Sequence, residues 1–478
     1  MSSITRRSRK TLVDVVLICD HKWRDLPGLA ALAVQLEDLL GLKTAVVPYS
    51  LWAYALWRYR PQVLVATTLY GRRGCQIVDV AHEMGTQVAV IMVEGRPNNN
   101  HTMDYSTGTE SGASGADLWF TWSEVVRAYM LEREVLPPEK VIVAGGPRFD
   151  FYRSPLNQLI QSREAFAEEV GFDAGRPIVS WATNFTTAKF HTRNQDFLVR
   201  NWTDLGLTKY SAYSNPQEFA RLDWETREQA SEAMRHLMRA RPELQLAVKP
   251  HPAEEHDYYE QFVQDCRREV GPRVTLVHSH YIWDLLSAAD VHVHRMCTTG
   301  VEAWLCGVPS IDLHLRDYYA WSTQIPGAAS EAAECDDTAH DANALIDRVD
   351  HYLRGGRPSA GQIQAREAYI ERWFHRIDGA RCAVHAQALG LLVREDGRVK
   401  RPQLSRQRAG LLVRSGINRF FGGQARAILQ RSVRNPKGRR RDALGHVDRV
   451  ASFSDVRRWK RSIRSLISCM PETETDRT

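Results

Sequence analysis

No run of about 18 apolar residues occurs in the 478-residue chain, so no membrane-spanning helix is expected. The eight cysteines form no CxxC pair and no metal-ligand spacing. Several of them (Cys19, Cys297, Cys306) sit in apolar runs, where reduced, buried thiols are expected, and that fits a cytoplasmic location. No GxGxxG follows the first apolar run, which leaves a dinucleotide site at the first turn unsupported. No Asp-x-Asp stands at a strand-like end, so no metal is expected. No signal peptide is expected either. MSSITRRSRK is basic, but TLVDVVLICDHKW behind it is interrupted by Asp14, Asp20 and His21, and reads as a first strand.

The length predicts two or three domains. A hydrophobic fraction of 43% and a charged fraction of 25% are ordinary for a globular protein. The net charge of +6 is unevenly spread. Residues 394–464 hold 21 Lys and Arg against 5 Asp and Glu, leaving 42 basic and 52 acidic residues elsewhere. One tail therefore carries all the positive excess, which points to a polyanionic partner.

In the first half, VDVVLICD, KTAVVPY, PQVLVATTL, TQVAVIMV, DLWFTW and KVIVAG are short apolar runs. Helical patterns alternate with them. That pattern predicts parallel strands with crossover helices, a doubly wound α/β unit ending near Gly145-Gly146-Pro147. The fourth run ends Glu94-Gly95-Arg96-Pro97 and enters a long polar loop through Asn98–Asn100, His101 and Asp104. Glu94 is a candidate general base. The alternative is a solvated loop carboxylate.

In the second half, LNQLIQSREAFAEEVGF reads as a connecting helix and RPIVSWATNFT as a new first strand. Residues 188–225 look like an inserted irregular loop. A helix then leads into residues 246–313, where three apolar runs each end in polar residues. Lys249-Pro250-His251-Pro252 follows the first, His278-Ser279 the second and Arg295 to Glu302 the third. After Asp312 the strands run out, and residues 340–390 are helical.

In an open parallel sheet, ligands sit outside the carboxyl ends of the strands. Lys249 offers a point charge there and His251 a donor. Thr298, Thr299 and Gly300 fall where the next helix should begin, a natural anion site. Glu302 suits the paired hydroxyls of a ribose better than a phosphate. Taken singly, each has a plainer reading: a solvent-facing His251, a Thr298 N-cap, a Glu302 favoured by the helix dipole. His292 and His294 alternate with valines and read as strand residues.

Lys-Pro-His-Pro after a strand, with TTG-x-E-A-x-x-x-G-x-P about 50 residues on, resembles the nucleotide-binding half of glycosyltransferase-B fold enzymes. The nearest resemblance is to bacterial surface-carbohydrate biosynthesis proteins, related to capsule and Kdo-type transferases and to CDP-glycerol glycerophosphotransferases. Val143 to Asp150 resembles the interdomain stretch of the same group. The likeness spans about residues 10–390. It implies two Rossmann-like domains: an acceptor-side domain over 1–150 and a nucleotide-sugar-binding domain with closing helices over 151–390. It implies that His251 contacts the donor phosphate, that Thr298 and Thr299 match a phosphate-binding hydroxyl pair, and that Glu302 binds ribose. An acid-acid-Gly motif supplies the base in relatives that use CMP-sugars. Val93-Glu94-Gly95 stands here, with one acid missing.

The expected activity is metal-independent, cofactor-free sugar transfer from a nucleotide-activated donor to a growing cell-surface polysaccharide. Glu94 acts as base, with His251 and Lys249 at the phosphate. A CMP- or CDP-linked donor is favoured over UDP or GDP, and the acceptor is a glycan or glycolipid. The alternatives are a CDP-polyol phosphotransferase, a nucleotide-sugar 2-epimerase and a non-catalytic nucleotide-sugar-binding scaffold. The epimerase is disfavoured because its chemistry needs several cleft carboxylates. The scaffold stays open because one acid is missing before Glu94.

Residues 391–478 form a basic amphipathic tail. Residues 408–433 carry two apolar stripes. In VRRWKRSIRSLI, Val456, Trp459, Ile463, Leu466 and Ile467 fall at helical spacing. Such a helix lies on an anionic inner-membrane surface or packs on the body and exposes its charge. Nucleic acid is not expected, since no base-reading motif accompanies the charge.

Overall fold

A computed structural model describes residues 13–67, 69, 71–108, 115–315, 327–395 and 450–469. The six apolar runs of the first half become β1 (Val15–Cys19), β2 (Thr44–Pro48), β3 (Val63–Ala66), β4 (Gln87–Ile91), β5 (Leu118–Thr121) and β6 (Val141–Val143). All residues of β1 and β3 are buried, as a parallel sheet covered on both faces requires. The sheet runs β2-β1-β3-β4-β5-β6, with every pair parallel. Chain order reverses at β1, so the ligand crevice opens at the ends of β1 and β3.

The second sheet holds β7 (Ile178–Ala182), β8 (Gln245–Lys249), β9 (Val274–Leu276), β10 (Val291–His294), β11 (Ser310–Leu313) and β12 (Asp337–Ala339). It runs β12-β11-β10-β7-β8-β9, again all parallel. Here the order reverses at β7, which places the crevice between β7 and β10. Both sheets are doubly wound, so the chain is a two-domain α/β protein.

The structure departs from the sequence reading in four places. The connecting helix is broken into a 3-10 turn (Leu156–Leu159) and a helix (Arg163–Val170). Ser162 restarts the helix by accepting the Ala165 N–H at 3.3 Å. The expected loop at 188–225 contains a helix over Gln195–Asp204 and the start of the 25-residue helix Pro216–Ala240. Leu198, Trp202, Leu207, Tyr213 and Phe219 give it a small core of its own. Strands do not end at Asp312, because β12 follows. It reads Asp-Thr-Ala, with no apolar run to announce it. Finally, the helices Ala360–Phe374 and Arg381–Gly390, expected with the second domain, pack on the first. Trp373, Phe374, Cys382, Ala386 and Leu389 join its core.

Asp150 anchors that return. Its carboxylate accepts the backbone N–H groups of Arg381 (3.0 Å) and Cys382 (2.7 Å), capping the helix Arg381–Gly390. Burial pushes its carboxyl up, against those two hydrogen bonds. Asp150→Ala is expected to cost about 1–2 kcal/mol through loss of the cap, read as a lower urea midpoint at unchanged slope.

The tail helix, Phe453–Ser468, answers the question of its apolar face. Val456, Trp459 and Ile463 are buried in the first domain's core. Lys460 donates to Glu37 at 2.7 Å, and Arg464 pairs with Glu37 and Asp38 at 2.7 Å each. The helix packs on the body through Val456, Trp459 and Ile463, while Ile467 at the end of the stripe stays exposed, as do Arg457 and Arg461. The stripes at 408–433 lie outside the described residues. Among the described residues no helix is long and apolar enough to cross a membrane.

Candidate active site

A cleft of about 450 Å³ opens between the two sheets, at the carboxyl ends of their strands. That volume suits a small organic ligand. The first domain contributes Asp20, His21, Trp23, Arg24, Glu94, Arg96 and Arg148. The second contributes Thr183, Lys249, His251, Thr298, Thr299 and Glu302. Five candidates named for the second-domain site thus share one wall, and Glu94 faces them from the other domain.

Each is positioned by local structure. Lys249 ends β8 and donates to the His280 carbonyl at 2.6 Å. At His251 the backbone N–H donates to Thr183 Oγ1 at 3.0 Å. The ring's Nδ1 accepts the Ala253 N–H at 3.1 Å. A backbone amide can only donate, so in the neutral ring the proton sits on Nε2. Thr183 in turn donates to buried Glu254 at 2.7 Å, which also accepts from Phe185 N–H and Tyr259. The His251 backbone is therefore braced from behind by a buried hydrogen-bond network, and the ring is held by the Ala253 N–H.

The helix Thr298–Leu305 starts at Cys297 without a side-chain cap. Its first turn presents Thr298 and Thr299 to the cleft, where backbone N–H groups and the helix dipole favour an anion. Thr299 Oγ1 lies 3.0 Å from His292 Nε2, and His292 Nδ1 lies 2.8 Å from Ser180 Oγ. Burial holds the His292 pKa well down, so this ring is neutral. The His294 pKa, by contrast, is pushed up: burial lowers it, but Asp312 and Asp336, the latter 3.1 Å away, outweigh that. Gly300 does not face the cleft. Its N–H donates to Cys297 O at 3.1 Å, and a Cβ there would meet the His294 ring at 2.5 Å. Close packing explains this glycine.

Glu302 is 3% exposed and stands 3.5 Å from Arg148. Burial raises its carboxyl pKa, with Arg148 opposing. Glu94 is held differently, 2.5 Å from Arg24, which also pairs with Asp20 (3.3 Å) and Asp25 (2.6 Å). Gly95 beside it packs against Trp122, where a Cβ would fall 2.1 Å from the ring. The polar residues that follow are mostly used internally. Asn99 caps the helix Asn100–Ser106 and donates to Tyr213 at 2.8 Å, His101 stacks on Tyr210, and Asp104 accepts from Tyr129 and Tyr210.

Sequence reasoning missed the arginines. Arg24, Arg96 and Arg148 all line the cleft. Arg96 and Arg148 lay inside stretches already singled out, but nothing in those stretches tells where a guanidinium reaches.

No protein-family model matches the chain, and no curated protein sequence matches it. Solved structures do match in shape. S. aureus MnaA, solved with UDP, aligns with a TM-score of 0.51 at 11% identity, over 79% of this chain and 96% of that one. The UDP-GlcNAc 2-epimerase of Neisseria meningitidis, bound to UDP-GlcNAc, aligns with a TM-score of 0.50 at 12% identity, over 78% of this chain and 99% of that one. These likenesses show the fold, two Rossmann-like domains of the glycosyltransferase-B type.

Proposed function

We propose that the protein is a glycosyltransferase that moves a sugar from a nucleotide-activated donor to a growing cell-surface polysaccharide. The observation that carries this reading is the meeting of Lys249, His251, Thr298, Thr299 and Glu302 on one cleft wall, with Glu94 on the other. A nucleotide needs cations and amide donors at phosphate and an acceptor at ribose, and the residue types on that wall support such a reading. The bound nucleotides of the two matching structures support the same class. Lys249, His251 and the helix start stabilise the departing phosphate by preorganised donors. Glu94 takes the acceptor's hydroxyl proton. The tail's exposed arginines bring the enzyme to an anionic inner-membrane surface by charge alone.

A second reading has an observation of its own. Asp20, Glu94 and Glu302 all line the cleft, which meets the carboxylate requirement of a nucleotide-sugar 2-epimerase. Thermal-shift screening of CMP, CDP, UDP and GDP tests the shared premise, since a ligand of the native state raises the melting temperature. Products then separate the two: free nucleotide for transfer, an isomerised nucleotide sugar for epimerisation. Stability unchanged by all four nucleotides would sink both. Glu94→Gln is expected to retain nucleotide binding within a few-fold and to lose transfer by about 10²–10⁴-fold. Loss of binding instead would assign Glu94 to holding Arg24.

A further inference from the structure

Arg96 leaves the first sheet two residues after Glu94 and is 8% exposed. Its Nη1 donates to the Tyr369 hydroxyl at 2.7 Å. Its Nη2 donates to Asn98 Oδ1 at 3.3 Å and to the Met296 carbonyl at 3.2 Å. All three acceptors are neutral. Among the described residues no Asp or Glu comes within 4.0 Å of this guanidinium, and Nε is buried without a hydrogen-bond partner. The other cleft arginines are different. Arg24 is ringed by Asp20, Asp25 and Glu94, and Arg148 faces Glu302. A buried guanidinium that touches no carboxylate is unfavourable; Asp312 acts on this one only from beyond 4.0 Å, and the side chain lines the cleft.

Its placement says what it is for. Met296 is the residue before Cys297, which begins the helix Thr298–Leu305. Met296 holds a left-handed φ of 43°, and its N–H is tied to Asp312 Oδ1 at 3.0 Å. So Arg96 reaches from the first domain to the fixed backbone that leads into the anion-binding helix of the second. Both Arg96 and the first turn of that helix line the cleft, and the helix start has no side-chain cap.

We propose that Arg96 is a catalytic residue supplied by the first domain, contacting the donor phosphate at the start of the helix Thr298–Leu305. The proposal rests on the nucleotide-sugar reading and adds a residue that the second domain alone cannot provide. In transfer, the bond from the sugar's anomeric carbon to the phosphate oxygen breaks and its electron pair stays on that oxygen. The acceptor oxygen bonds to the same carbon and gives its proton to Glu94. Arg96 adds positive charge where the phosphate gains negative charge, and it does so only while the two domains are together.

The test compares binding of a nucleoside, its monophosphate and its diphosphate to the full-length chain, using the base that stabilises the wild type most. Wild type should bind tighter with each phosphate. Arg96→Met should lose about 10–100-fold in diphosphate affinity, the worth of a hydrogen bond to a charged group, with nucleoside binding unchanged. Arg96→Lys should keep part of the gain. Tyr369→Phe removes the structural bond to the same guanidinium together with the hydroxyl's bond to the Ala328 carbonyl (3.0 Å), and should bind like wild type. An Arg96→Met protein with the wild-type phosphate increment overturns the proposal. If that variant does not fold, Arg96→Lys carries the test, and a full wild-type increment there overturns it equally. A wild-type protein that binds no nucleotide overturns the nucleotide-sugar reading, and this proposal with it.

Discussion

Replacing His251 by alanine is expected to lower turnover of the nucleotide sugar about 10²–10³-fold, the effect of deleting one preorganised donor at a developing anion. The expectation comes from how the ring is held. Its Nδ1 is occupied by the Ala253 N–H, so the neutral ring presents Nε2–H as a donor. Its backbone is tied through Thr183 to Glu254. Little reorganisation is then needed as charge grows on the leaving phosphate. Because the contact strengthens in the transition state, kcat should carry most of the loss and KM should move within a few-fold. Wild-type turnover in His251→Ala, with the nucleotide that best stabilises the protein, would remove His251 from the chemistry. A loss confined to KM would make it a binding residue only.

The strand ends were the legible part of this site. Parallel strands are buried on both faces, so each reads as a short apolar run, and the polar residues after it mark a sheet's ligand edge. That reasoning places Lys249, His251 and Thr298 together. Partnerships far apart in the chain were illegible. Arg24 meets Glu94 across 70 residues and Arg96 meets Met296 across 200. No local pattern encodes either. Gly300 shows a subtler failure: a glycine at a helix start suggests an open anion site, but the actual constraint is the His294 ring pressed against it. The tail helix was legible as amphipathic but not as docked, because periodicity reveals an apolar face and not what covers it. β12 carries too few apolar residues to stand out from a loop.

Asp223→Ala is expected to destabilise the protein by about 3–5 kcal/mol, a large part of the roughly 5–15 kcal/mol that holds a typical native state. Asp223 and Arg295 are each 2% exposed and pair at 2.6 Å. Asp223 also accepts Thr187 N–H at 2.9 Å and Thr187 Oγ1 at 2.6 Å. Deleting the carboxylate leaves a buried guanidinium uncompensated and two donors without their acceptor. Replacing both partners, Asp223→Leu with Arg295→Met, removes the charges together and should recover most of the lost urea midpoint. The pair has a second role at the cleft. Arg295 follows β10 and donates to the Asn184 carbonyl at 2.6 Å, while Asn184 returns a bond to the Arg295 carbonyl at 3.3 Å. These bonds join the ends of β7 and β10, the two strands that flank the crevice. The double variant should therefore be stable but bind nucleotide more weakly than wild type. Wild-type affinity in it would confine the pair to folding. Less than 1 kcal/mol lost in Asp223→Ala would show that water reaches Arg295.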